Sequence, residues 1–217
     1  MKVALIGATG FVGSQVLQEL VSRGHQVTAI ARNTDKVTLQ SDLVTLKSAN
    51  VLDSEEVTAV VSGHDAVVSA YNPGWTNPNI YSEYLEGASA IEKGVAKSGV
   101  KRLLVVGGAG SLEVAPGVAL IDTPTFPEEY KAGASAAREY LNALKTDTAL
   151  DWTYLSPAIE MHPGTSGERK GTYRTSLNTP VFNEKGRSII SVEDLSVAIV
   201  DEIEQPQFVQ KRFTAAY

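Results

Sequence analysis

Cysteine is absent from the 217 residues, which excludes disulfide staples, thiol nucleophiles and thiolate-held metals. Positive charge is also scarce: 19 Lys and Arg stand against 25 Asp and Glu, a formal net charge of −6. No basic stripe can follow a phosphate backbone, so nucleic-acid binding is not expected. Of three histidines, His25 and His64 precede strands in turns and read as surface residues. His162 is left as a candidate acid or substrate contact. None shows metal-ligand spacing, such as two His four apart on a helix, and no metal is expected. No apolar run is long enough to cross a bilayer, and the first apolar stretch follows no basic leader. The expectation is a soluble, cytoplasmic protein without membrane contact, monomer or homodimer. With 43% apolar and 20% charged residues, the chain suits one domain spanning 1–217 with a sizeable core.

The most informative stretch is residues 2–13, Lys-Val-Ala-Leu-Ile-Gly-Ala-Thr-Gly-Phe-Val-Gly. Apolar Val3–Ile6 runs into Gly7, Gly10 and Gly13, and a helical pattern follows to Leu20. This is the strand, turn and helix context in which a glycine-rich fingerprint signals dinucleotide binding. Gly7 permits the turn, Gly10 leaves room for a pyrophosphate, and Gly13 lets the helix approach the strand. Thr9 and the amides that open the helix at Phe11, Val12 and Gly13 would then face the diphosphate. A turn that is glycine-rich for packing alone is the plainer alternative.

Strand-length apolar runs recur at Val3–Ile6, Val27–Ala31, Leu43–Leu46, Ala66–Ala70, Leu103–Val106 and Trp152–Leu155, with a terminal one at Arg212–Ala216. Helical patterns intervene at Phe11–Arg23, Glu55–Ser62, Tyr81–Ser98 and Glu128–Lys145. Continuous apolar strands alternating with helices predict a Rossmann-type α/β fold, a doubly wound parallel sheet with its crevice at the C-terminal strand ends. Two segments, near 112–127 and 157–190, break the rhythm with Pro, Gly and polar residues and predict a small substrate-facing lobe. Ser191 then reads as the N-cap of a last helix.

After the second strand a protein preferring NAD usually places an acid against the ribose 2′-hydroxyl. Here Ala31-Arg32-Asn33 stands instead, and an arginine fork suits a 2′-phosphate. NADP is therefore expected over NAD, the alternative being that Arg32 is a solvated loop cation. Asp53 is positioned to accept from the adenine amino group, to cap the helix before Glu55 and Glu56, or both. Ala70 and Tyr71 end the fourth strand where backbone passes the nicotinamide-side ribose.

The fingerprint Gly7-Ala8-Thr9-Gly10-Phe11-Val12-Gly13, with Arg32, Asp53 and Ser191-Val-Glu-Asp-Leu195, resembles the short-chain dehydrogenase/reductase superfamily. The segments Phe126–Lys131 and Asp151–Pro157 narrow the resemblance to its atypical, NmrA-like and biliverdin reductase B-like branch. That resemblance covers the whole chain. It implies a nicotinamide cofactor and reduction of a flavin, quinone or similar planar acceptor.

One departure stands out. The wider superfamily uses a Tyr with a Lys four residues later, close enough for the ammonium to lower the phenol pKa. No Tyr here has Lys at that spacing. Tyr130-Lys131 are neighbours whose side chains diverge by roughly 100° on a helix. A flavin or quinone acceptor eases the difficulty, because the hydride product is a stabilised anion and the protein mainly holds donor and acceptor together. Ser111, in Gly107-Gly-Ala-Gly-Ser111 after the fifth strand, is the candidate hydroxyl, with turn stabilisation as its alternative. Tyr130 is a candidate for stacking or donation, and Lys131 for contact with ribose or an anionic acceptor. Trp75 is either a wall for a planar ligand or a packed loop anchor. Two rival functions remain: a non-catalytic NADP-binding regulator and a nucleotide-sugar epimerase or dehydratase.

Overall fold

The computed structural model describes all 217 residues. Its frame is an eight-stranded sheet. In chain order the strands are β1 Lys2–Ile6, β2 Gln26–Ala31, β3 Val44–Ser48, β4 Ala66–Ser69, β5 Arg102–Val106, β6 Glu113–Ala115, β7 Val118–Ala119, β8 Asp151–Pro157, β9 Arg174–Ser176 and β10 Lys211–Ala216. The helices are α1 Phe11–Ser22, α2 Ser54–Val61, α3 Ile80–Ser98, α4 Glu128–Leu144 and α5 Val192–Glu204. The sheet order is β3-β2-β1-β4-β5-β8-β10-β9. Within this sheet every pairing is parallel except that of β9 with β10, and β6 and β7 form a separate antiparallel pair.

This order follows from burial. Strands with helices on both faces must be apolar throughout, and β1 buries Val3–Ile6 while β4 buries all four of its residues. Alternate side chains feed two cores. One, including Leu5, Leu17, Leu20, Ile199 and Phe213, lies under α1 and α5. The other, including Ile6, Val57, Ile91, Leu103, Leu141 and Trp152, lies under α2, α3 and α4. The chain winds outward from β1 through β2 to β3, then returns to β4 on the other side of β1. The sheet thus reverses direction between β1 and β4, and a crevice opens outside their C-terminal ends.

Several elements differ from expectation. Strand β3 starts one residue later and runs two further than Leu43–Leu46, and four of its five residues are exposed because it is a sheet edge. Pro157, expected in a loop, closes β8. Segment 112–127 contains the β6–β7 hairpin, and Glu113 N–H donates to the Asn178 carbonyl at 2.8 Å. Segment 157–190 supplies β9 and a bridge from Glu160 to Ile189. Buried Asp194 at the start of α5 also holds it, accepting from the amides of Lys170 and Gly171 and from the Tyr217 hydroxyl.

His25 is not a surface residue. It is buried, with Nε2 2.8 Å from a Glu204 carboxylate oxygen and Nδ1 3.3 Å from the N-terminal amine, because α5 packs across α1 onto the turn before β2. His64 is half-buried, its Nε2 2.7 Å from the Thr28 hydroxyl. His162 caps the turn Pro163–Thr165, accepting from Gly164 N–H at 3.1 Å, an exposed structural role.

Candidate functional site

The turn from β1 into α1 is shaped by what glycine omits. Gly7 sits at φ 81°, and a Cβ on it would lie 2.6 Å from the Ala70 carbonyl oxygen. A Cβ on Gly13 would lie 2.1 Å from the Gly7 carbonyl oxygen, so the helix can lie on the strand only without one. Gly10 differs. Its backbone is extended, and its only close neighbour would be the Gly7 oxygen at 3.3 Å. The space beyond Gly10 is open.

The start of α1 is electrostatically unsatisfied. Asp53 caps α2 and Ser191 caps α5 through side-chain oxygens, whereas α1 has no side-chain cap and no acid in its first turn. The amides of Phe11, Val12 and Gly13 find no acceptor in the protein, nor does the Thr9 hydroxyl donate to one. Four orphan amides are normal at a helix start, and an anion is their natural partner. The residues present therefore fit a diphosphate: an open cradle, free donors and no competing carboxylate.

Around this seat stand the other expected contacts. Arg32 follows β2, is exposed, and forms no ion pair or side-chain hydrogen bond. Asp53 is exposed and does cap α2, accepting from Glu55 N–H at 2.8 Å and Glu56 N–H at 3.4 Å through Oδ1 alone, so Oδ2 stays available. Ala70 lies against Gly7. The Tyr71 side chain turns away beneath α3, its ring occupying the space of a Gly87 side chain and its hydroxyl donating to the Glu83 carbonyl at 3.0 Å. Burial, reinforced by Glu83, pushes its pKa up to about 12 despite the nearby charge of Arg32. Tyr71 thus offers backbone to the crevice, not an acidic phenol.

Beyond β5 the glycine pair Gly107-Gly108 lies over Tyr154. A Cβ on Gly107 would fall 1.9 Å from the Tyr154 ring. The fully buried Tyr154 hydroxyl donates to the Ala137 carbonyl at 3.0 Å, and desolvation lifts its pKa to about 12. Ser111 ends the following turn, which packs on α4 with Gly110 close to Ala134. Tyr130 and Lys131 open α4 but act apart. Tyr130 meets Trp75 edge to face at 5.3 Å, both rings about half exposed, while Lys131 Nζ pairs with Glu128 at 2.6 Å. Trp75 is anchored because Gly133 leaves space for its ring.

Two residues near Ser111 were not singled out from the sequence. Arg212 on β10 donates through Nη1 to the Ser111 carbonyl at 2.7 Å and to its Oγ at 3.1 Å. Through Nη2 it donates to Asn178 Oδ1 at 2.9 Å. An arginine directly before the apolar Phe213 and within a strand that ends Ala215-Ala216 is the signal that could have marked it.

The comparisons with known proteins agree with this geometry. The model of the family described as NAD(P)H-binding matches residues 7–206. The uncharacterized Bacillus subtilis protein YwnB is 39% identical over 216 residues, covering 99% of this chain and 97% of that protein. A Bacteroides thetaiotaomicron structure provisionally named an epimerase is 42% identical, with a TM-score of 0.92, covering 100% of this chain and 96% of that one. A Streptococcus pneumoniae structure provisionally named an NADH-flavin reductase is 35% identical, with a TM-score of 0.87 and coverage of 100% and 99%. The chain belongs to the NAD(P)H-binding family, within the atypical short-chain dehydrogenase/reductase group that its motifs resemble.

Proposed function

We propose that the protein is an NADPH-dependent reductase that delivers hydride to a flavin, quinone or similar planar acceptor. The observation that carries the reading is the uncapped start of α1, with three unpartnered amides directly after Gly10, where a side chain would find open space. Gly7, Thr9, Gly10, Phe11, Val12 and Gly13 would hold the diphosphate, Arg32 the 2′-phosphate, and Asp53 Oδ2 the adenine amino group. The backbone at Ala70 and Tyr71 would flank the nicotinamide ribose. The bound nucleotide supplies the hydride; the protein's part is to bind, orient and exclude water.

The missing Tyr–Lys pair favours an acceptor that needs no phenol-driven proton transfer, since a reduced flavin or quinone anion is stabilised by its own conjugation. The neighbour provisionally named an NADH-flavin reductase supports the same class. Trp75 and Tyr130 supply an exposed aromatic edge beside the crevice for a planar ligand. Ser111, at the crevice end of β5, would donate to the acceptor, and Lys131 would attract an anionic one.

The test is oxidation of NADPH with FMN, riboflavin and simple quinones, beside thermal shifts with NADPH, NADH, NADP and NAD. Turnover with at least one acceptor and a larger shift for NADPH are expected. Binding without any turnover would select the regulator reading, which the missing pair also favours. A preference for NADH of about tenfold or more, or about 1.4 kcal/mol, would overturn the role of Arg32.

A further inference from the structure

Arg212 is unusual for a guanidinium. It is only 6% exposed, yet no carboxylate pairs with it. Contrast Arg102, equally buried, whose Nη2 meets Glu202 at 2.7 Å. Around Arg212 the acceptors are neutral: the Ser111 carbonyl and hydroxyl, and the Asn178 carbonyl and side chain. Its Nε has no partner, as is true of Arg102 Nε also, and the Oγ1 of Thr214, two residues along the same strand, has none either. Burying a cation without a counter-charge is costly, and a fold seldom retains one that does nothing beyond packing.

The geometry at Ser111 gives it a task. Arginine can only donate, so the Ser111 oxygen must accept from Nη1. The serine hydroxyl in turn donates to no group of the protein. Its lone pair is engaged by a cation while its proton stays free on a half-buried side chain at the crevice end of β5. A hydroxyl polarised this way is a better hydrogen-bond donor. We infer that Arg212 is a positioning residue that fixes Ser111 as a hydrogen-bond donor toward the electron-rich carbonyl of the acceptor. The inference rests on the reductase reading.

A double-mutant cycle tests it with Ser111→Ala, Arg212→Met and the pair. Affinity for FMN or a simple quinone is read by calorimetry with NADP present, and kcat/KM by NADPH oxidation. Each single variant should lose roughly 10- to 100-fold in kcat/KM, as for a hydrogen bond involving a charged group. A smaller loss is expected in affinity. The pair should lose no more than Ser111→Ala, and Arg212→Lys should recover part of the loss. An equal factor from Arg212→Met whether position 111 is Ser or Ala would make Arg212 a purely structural clamp and sink the inference. If Arg212→Met does not fold, Arg212→Lys in both backgrounds supplies the same comparison. A wild-type protein that neither binds nor reduces any of these acceptors refutes the reductase reading itself, and the inference falls with it.

Discussion

Adding one methyl group at either of two glycines three positions apart, Gly10 and Gly13, should produce contrasting effects. At Gly13 the new carbon would sit 2.1 Å from the Gly7 carbonyl oxygen, a fixed backbone atom. Relieving that clash requires α1 to shift by about 1 Å, and overpacking of this kind costs about 1–3 kcal/mol or more. In a domain of this size that lowers Tm by about 2–12 °C. At Gly10 the added carbon meets only the Gly7 oxygen, at 3.3 Å, and φ −79° suits any residue. Gains in the unfolded-chain entropy and losses at the cap nearly cancel, so stability should change by less than about 1 kcal/mol. Binding should respond differently, because the methyl group projects into the space proposed for the diphosphate. Losing one charge-assisted amide contact is worth about 1.5–3 kcal/mol, or roughly 10- to 150-fold in Kd. The assay pairs thermal melting with calorimetric titration of NADPH. Unchanged affinity in a folded Gly10→Ala protein would refute the placement of the diphosphate at this turn. An undisturbed Tm for Gly13→Ala would refute the packing argument.

Three further outcomes are expected. Arg32→Glu should weaken NADPH roughly tenfold or more while sparing NADH; equal losses by titration would mean that the side chain misses the 2′-phosphate. Glu202→Gln leaves Arg102 buried without its counter-charge, 2.7 Å away, and should cost about 3–5 kcal/mol in urea unfolding; a loss under about 1 kcal/mol would refute the importance of that pair. Hydrogen bonds from Arg169, then Arg23, hold the Glu19 carboxyl below its ordinary value, against the opposing effect of burial. Its stabilisation is therefore complete above the unfolded value and fades as pH falls below about 4.5. The stability gap between wild type and Glu19→Gln should narrow between about pH 6 and pH 3, and a constant gap would contradict the ion-pair assignment.

The parallel sheet was legible because strands covered on both faces carry unbroken apolar runs, as in Val3–Ile6 and Ala66–Ser69. Asp53 before two glutamates likewise announced a cap, since capping is local. Local patterns fail where distant segments decide. The polar triplet Arg174–Ser176 becomes β9 only because β10 offers it an edge. His25 was misread because its partner, Glu204, lies 179 positions along the chain. The same holds for Arg212, whose contact with Ser111 spans 101 residues. Within the site, the glycine turn and the divergence of Tyr130 from Lys131 were readable from local spacing, while the contact of Tyr130 with the distant loop residue Trp75 required the tertiary fold.

The two tryptophans divide the molecule optically. Trp152 is 2% exposed and donates its indole N–H to the Asp147 carbonyl, so its emission should be blue and deaf to solutes. Trp75, 54% exposed on the loop after β4, should emit to the red and quench readily with acrylamide. Dihydronicotinamide, unlike the oxidised ring, absorbs where indole emits, so NADPH seated as proposed would dim the emission of the exposed Trp75 and serve as an unlabelled gauge of occupancy.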